Sequence, residues 1–216
     1  MDIKRITGAA AVILTAALAI VLVFTCTIWG SEKTSEVFAE ADPHELKDPV
    51  RVSDDKVTWD CVWLGSYPQS DENGETKEPI KWRVLDVNGN DAFLLADQIL
   101  DNQIYHNGDE GGTWENCTFR SWLNNEFYDA AFSSSEKSAV KTVTVPCVDS
   151  YFTDEKDTLD KIFILSWDEV ANPSYGFLAD AGEWDAARRA KNTAYASAQG
   201  AYTVTTSSSV ADGNGP

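Results

Sequence analysis

Apolar and polar side chains alternate from Ile80 to Val87, and Asn88-Gly89-Asn90-Asp91 then leads into the apolar stretch Ala92-Phe93-Leu94-Leu95-Ala96. A period of two broken by Asn-Gly predicts a β-hairpin. Upstream, Thr58-Trp59-Asp60-Cys61-Val62-Trp63-Leu64 has the aromatic and β-branched content of a strand closed by Gly65 and Tyr67-Pro68, followed by a polar loop from Ser70 to Glu78. Three antiparallel strands therefore build a sheet. The period then changes. Phe119, Trp122, Leu123 and Phe127 recur at three- and four-residue spacing, which puts four large apolar groups on one face of a helix over that sheet. Ser133 to Glu136 and Ser166 to Glu169 both carry the capping-box pattern. The first opens a short helix through Val140, and the second opens a helix that Asn172-Pro173 must end. Lys141 to Val145 alternates as a strand, Ile162 to Leu165 reads as a buried strand, Ala186 to Ala198 as a helical stretch and Ala201 to Val204 as a strand.

The N-terminal region lacks any such period. Lys4 and Arg5 precede an uncharged run from Ile6 to Trp29, whose 24 residues as a helix reach about 36 Å, more than the ~30 Å of a hydrocarbon core. The expectation is a transmembrane helix within residues 1–30, its basic pair cytoplasmic and everything after it outside. Residues 31–56 are charged, aperiodic and interrupted by Pro43 and Pro49, which suits a juxtamembrane stalk, and residues 57–216 form one extracytoplasmic domain. Localisation follows as single-pass in the cell membrane, with the membrane as a partner through that helix. Ala39-Glu40-Ala41 offers the small-x-small pattern of a cleaved signal peptide, so removal of the segment stays open.

Composition narrows the partners. The formal charge of -18 repels phosphate backbones and excludes nucleic acid. With 43% hydrophobic residues and eight Trp, there is material for one buried core. Cys61, Cys117 and Cys147 are an odd number, so at most one pair can close within the chain outside the membrane, and none lies at zinc-ligand spacing.

Several segments resemble a known family in the same order. They are Trp63-Leu64-Gly65-Ser66-Tyr67-Pro68-Gln69, Ile80-Lys81-Trp82-Arg83-Val84-Leu85, and Arg120-Ser121-Trp122-Leu123-Asn124 with Phe127 and Ala131-Phe132. Leu165-Ser166 with Glu169, and Arg188-Arg189-Ala190 ahead of Thr193 and Tyr195-Ala196, continue the likeness. The family is domain of unknown function 6273, found in surface and secreted proteins of Gram-positive gut bacteria. The resemblance implies an α+β fold: after the N-terminal transmembrane helix, a single C-type-lectin-like domain of antiparallel strands with packed helices, in the variant of formylglycine-generating enzymes. Family members usually continue into a Trp-rich segment and a Gly-Val-Arg-Pro-Ala run. This chain stops at Gly213-Asn214-Gly215-Pro216, so the domain is expected to be incomplete at its C-terminus.

Candidate chemistry is sparse. His106 stands alone in Tyr105-His106-Asn107-Gly108 without a partner base or nucleophile at motif spacing. Asp86, Asp97 and Asp101 offer paired carboxylates for acid–base work, or simply cap the turns after strands. Asp154, Glu155, Asp157 and Asp160 are dense enough to hold calcium, although their spacing is not that of an EF-hand, and solvated charge explains them equally. Trp59, Trp63, Trp82 and Trp114 offer flat rings that stack on sugars or pack the core, with Trp59 and Trp63 four apart and so on one face of a strand. Ligand-binding candidates are thus Trp59, Trp63, Trp82, His106 and Trp114. The function these readings lead to is a non-catalytic, membrane-anchored surface module for a glycan or protein ligand. The alternatives are an oxidoreductase like the formylglycine-generating enzymes, whose pair of late cysteines has no counterpart after Cys147, and a fragment without function of its own.

Overall fold

The computed structural model describes residues 23–27, 45–108, 112–147 and 156–202. Its main sheet has four antiparallel strands in the order β1-β6-β5-β4: β1 (Val23–Thr27), β4 (Cys61–Pro68), β5 (Lys77–Asn88) and β6 (Asp91–Ala96). The expected hairpin is β5–β6, turned at Asn88↔Asp91 with Gly89 at φ 62°. A second hairpin joins β2 (Val50–Ser53) to β3 (Lys56–Thr58), across the expected junction of stalk and domain. Short ladders pair β7 (Gln98–Ile99) with β10 (Lys191–Asn192) and β8 (Val143–Val145) with β9 (Thr158–Asp160).

The helix expected over the sheet runs from Thr118 to Ala131 as α1 (Thr118–Trp122), a wider π turn (Leu123–Phe127) and α2 (Tyr128–Ala131). The thiol of Cys117 caps it by accepting the Arg120 amide at 3.3 Å. Both capping boxes form, opening α3 (Ser134–Ala139) and α4 (Trp167–Val170). The last helix is α5 (Ala194–Ala198), capped by Thr193.

Both faces of the β5–β6 pair are covered. Ile80, Trp82, Val84 and Leu94 pack with Phe119, Leu123, Phe127 and Phe132 of the helical side. Leu85 and Leu95 pack with Phe163, Phe177 and Ala187. Alternation puts Val84 and Leu85 on opposite faces of β5, and the register shift between Val84 and Asp86 then turns Asp86 away from the Val84 face.

The transmembrane expectation is overturned, and with it the expected fold class. Among the described residues no helix is long and apolar enough to cross a membrane. Residues 23–27, inside the expected span, are instead a strand paired with β6 from Val23↔Leu95 to Thr27↔Asp91. An uninterrupted apolar run carries neither the helical nor the strand period, so length alone favoured a helix. Val23-Phe24-Thr25-Cys26-Thr27 is β-branched and aromatic, and the β6 edge offers backbone groups that need a partner. The remainder of the run lies outside the described residues. In place of a spanning helix joined to a lectin-like domain, the described residues form a mixed α/β arrangement of one four-stranded sheet, small ladders and short helices.

Four smaller expectations also change. The first strand continues through Gly65 to Pro68, because Gly65 adopts φ 71° within a bulge and its amide donates to Glu136 Oε1 at 2.8 Å. Ile162 to Leu165 has no extended ladder, although Ile162 and Phe163 are buried, and the strand lies just before it at β9. Ala186 to Ala198 breaks into a 3-10 turn (Ala186–Arg188), β10 and α5, since Asp185 and Thr193 each cap a new start. Of the expected strand Ala201 to Val204, residues 201–202 are not extended in a ladder and 203–204 lie outside the described residues.

Candidate functional site

The cleft that gathers polar and aromatic groups lies at the turn end of the β5–β6 hairpin. It has a volume of about 290 Å³ and is lined by Asp86, Asn88, Asp91, Phe93, Glu169 and Tyr175, with Val143, Thr144 and Phe163 completing its wall. The bulge in β5 places Asp86 there. Val84 pairs with Leu94, the next pair is Asp86↔Phe93, and Leu85 is the extra residue. Directly paired residues share a face, so Asp86 leaves the Val84 face and stands beside Phe93.

The rest of the cleft is positioned by caps and ring contacts. Phe93 lies against Phe163 (5.9 Å between ring centroids) and against Tyr175 (5.3 Å). Tyr175 ends a 3-10 turn, Pro173–Tyr175, that Asn172 caps through the Ser174 amide at 3.0 Å. Gly176 follows at φ 85°, where a Cβ would stand 2.7 Å from Val57. Glu169 closes its capping box by accepting the Ser166 amide at 2.7 Å. At the rim, Lys141 Nζ lies 2.5 and 2.6 Å from the two oxygens of Asp91.

The electrostatics are one-sided. Burial, and then the negative charge of Asp48, push the Asp86 carboxyl above its ordinary value. Burial also raises the Tyr175 phenol, helped by the charges of Glu169 and Asp86. The arrangement is suited to binding: carboxylate and amide oxygens accept from hydroxyl or ammonium groups beside aromatic faces.

None of the tryptophans expected to bind lines this cleft. Trp82 is fully buried, donates to Leu64 O at 2.8 Å and stacks near Phe132. Trp59 and Trp63 do not share a strand face, because Trp59 falls between β3 and β4; it donates to Tyr175 O at 3.2 Å behind the cleft, under the guanidinium of Arg83. Trp63 is 57% exposed. Trp114 donates to Asp160 Oδ2 at 3.0 Å. His106 is half-buried and its ring crowds Gly108 and Gly112, where any Cβ would approach it within 2.6 Å.

The expected calcium ligands separate. Asp154 and Glu155 lie outside the described residues, and Asp157 accepts the Cys147 amide at 3.0 Å. Asp160 is buried and takes Arg120 Nε at 2.7 Å, the Trp114 indole and the Thr158 hydroxyl at 2.5 Å. Among the described residues no three His, Cys, Asp or Glu side chains are grouped to hold a metal ion. The three expected carboxylates part as well. Asp86 enters the cleft, Asp97 pairs with Arg83 at 2.6 Å and Lys81 at 3.5 Å, and buried Asp101 accepts the Tyr67 hydroxyl at 2.7 Å.

Asp91, Phe93, Glu169 and Tyr175 are the cleft residues that motif reading passes over. One signal for them is present: Val84-Leu85 places two apolar residues in succession just before Asp86, which marks a bulge in an otherwise alternating strand.

No curated protein and no solved structure matches the chain. The family described as Domain of unknown function (DUF6273) matches residues 89–211, which takes in β6, the helix over the sheet, both capping boxes and the Glu169 and Tyr175 side of the cleft. The chain belongs to the DUF6273 family.

Proposed function

We propose that the protein is a non-catalytic module, displayed outside the cytoplasm, that binds a glycan in the cleft at the end of the β5–β6 hairpin. One observation carries the reading: Phe93 and Tyr175 stand within the same 290 Å³ cleft as Asp86, Asn88, Asp91 and Glu169. Sugar rings present hydroxyl edges and apolar faces, and this lining offers acceptors for the first and aromatic carbon for the second. Display outside rests on the basic pair Lys4-Arg5 ahead of an uncharged run, the pattern of an exported chain.

The test is a calorimetric titration against oligosaccharides and cell-wall fragments, with Tyr175→Ala and Asp86→Ala beside the wild type. Binding that both variants weaken at least tenfold is the expected result. No binding by a cooperatively melting protein, or binding indifferent to both substitutions, overturns the assignment to this cleft.

A further inference from the structure

The cleft carries more negative charge than a neutral sugar needs. Asp86, Asp91 and Glu169 line it, and Lys141 at the rim is the cation paired with one of them, Asp91. Among the described residues, the Asp86 carboxylate makes no hydrogen bond or ion pair, and Asp48, whose carboxylate accepts the Val87 amide at 2.8 Å, adds a further like charge behind it. Glu169 uses Oε2 in its capping box. Holding these carboxylates together costs stability unless a cation arrives.

The cation is not a metal of the calcium kind, because a hard ion needs several oxygens converging at 2.3–2.6 Å. The described carboxylates are not grouped that way. Spaced carboxylates next to aromatic rings suit an organic cation, which spreads its contacts between charge and ring face. The raised phenol of Tyr175, which responds to both Glu169 and Asp86, agrees with all three bordering one space.

We infer that the cleft selects an amino sugar with a free ammonium group, its charge met by Asp86 and Glu169 and its ring by Phe93 and Tyr175. This rests on the reading of the cleft as a glycan site and names the sugar class. Acetylation of the amine removes the charge and with it the selected feature.

The test compares a glucosamine trimer with an N-acetylglucosamine trimer and a lysine tripeptide by calorimetry at about pH 6, where an amine of ordinary basicity is protonated. The expected result is at least tenfold tighter binding of the free-amine trimer, weakened by added salt. Asp86→Asn should reduce that advantage to about threefold or less, and Glu169→Gln, which keeps an oxygen for the capping box, should do so independently. Asp86→Asn is a safe probe because it relieves repulsion with Asp48 instead of breaking a bond. Lowering the pH should erase the preference as Asp86 protonates. Asp48, Asp91 with Lys141, Glu169 and Tyr175 face it from the neighbouring elements, so the midpoint belongs to this group. Equal affinity for both trimers overturns the inference and leaves the glycan cleft standing. Binding of neither trimer by folded protein overturns both. Preference for the lysine peptide, lost in Asp86→Asn, overturns the sugar and makes a basic protein segment the ligand.

Discussion

Replacing Asp185 with Ala should be among the most damaging single changes in this domain. Its side chain is wholly buried, and its oxygens take Arg51 Nη2 at 2.8 and 2.9 Å, the Leu178 amide at 2.8 Å and the Ala187 amide at 3.0 Å. Arg188 Nε lies 3.8 Å away. Arg51 in turn holds Gly176 O through Nε at 3.1 Å and Nη2 at 2.7 Å, so this carboxylate fastens the β2–β3 hairpin to the segment that carries Tyr175. Breaking a buried pair from one side costs about 3–5 kcal/mol. Arg51 is 21% exposed and regains some water, whereas the two amides do not, so we expect the lower half of that range. Against a total stability of about 5–15 kcal/mol, such a loss shifts the urea midpoint far. Arg51→Met and the double variant complete a cycle, for which a coupling of about 1.5–3 kcal/mol is expected. Acidity gives an independent readout. Burial by itself would raise the Asp185 carboxyl, but the Arg51 hydrogen bond and the two amides outweigh it and hold it below the usual range. A carboxyl with a depressed folded pKa contributes stability above its unfolded value of 3.8 and loses it as the pH falls through the folded value. Arg51→Met should therefore flatten the acid limb of the stability curve below pH 4. A coupling under about 0.5 kcal/mol, with an unchanged acid limb, would refute the idea that this pair fastens the hairpin.

Gly65→Ala should cost about 2–5 kcal/mol, combining left-handed backbone strain with overpacking, because the new Cβ would stand 2.7–2.8 Å from the Phe132 ring and Ala131 O; a melt within a few degrees of wild type would contradict this. Tyr67→Phe should cost about 1–3 kcal/mol by leaving buried Asp101 without its 2.7 Å donor. Burial, and then the Asp101 bond, raise the Tyr67 phenol far above 10, so its contribution is present below pH 10 and lost above it, where the unfolded chain ionises; absorbance titration at 295 nm should find this phenol silent in the native protein. Glu136→Gln should cost about 1 kcal/mol at neutral pH, since Glu136 serves both the Ser133 cap and the Gly65 amide. Burial opposes but the Ser133 bonds outweigh it, so the carboxyl is depressed and the difference from Gln should vanish in denaturation curves as the pH falls through its folded value.

What was legible in the sequence is what local chemistry decides. The Asn-Gly turn, the capping boxes at Ser133 and Ser166 and the apolar stripe Phe119, Leu123, Phe127 all lie where the structure has a hairpin, two helix starts and a helix face. Pairings between distant segments were not legible. Nothing in Val23-Phe24-Thr25-Cys26-Thr27 announces that it pairs with Leu95 to Asp91, because a wholly apolar run suits a bilayer and a sheet alike. Tryptophan count misled for the same reason. A large ring buried under a helix, as Trp82 is, and one standing in water, as Trp63 is, look identical as letters on alternating strands.

The cleft was hidden by a subtler effect, and the same effect ties it to the fold. One inserted residue, Leu85, satisfies the second core by packing with Leu95 and Phe163. The cost of that insertion is that Asp86, which strict alternation would have left on the Val84 face, arrives beside Phe93 within the electrostatic reach of Asp48. Alternation gives Leu85 its core contact, and the register shift that follows places the binding charge. Deleting Leu85 restores the regular ladder with Asp86 still opposite Phe93, so it loses the Leu85 contact and keeps the acidic wall. Substitutions at Asp86 alone do the reverse, since the carboxylate is partly exposed and carries none of the packing. A cation in the cleft relieves the repulsion that the bulge imposes, and a ligand of that charge stabilises the fold with the logarithm of its concentration over its Kd. A neutral ligand gives no such relief, and its stabilisation should be the same with Asp86 or Asn at this position.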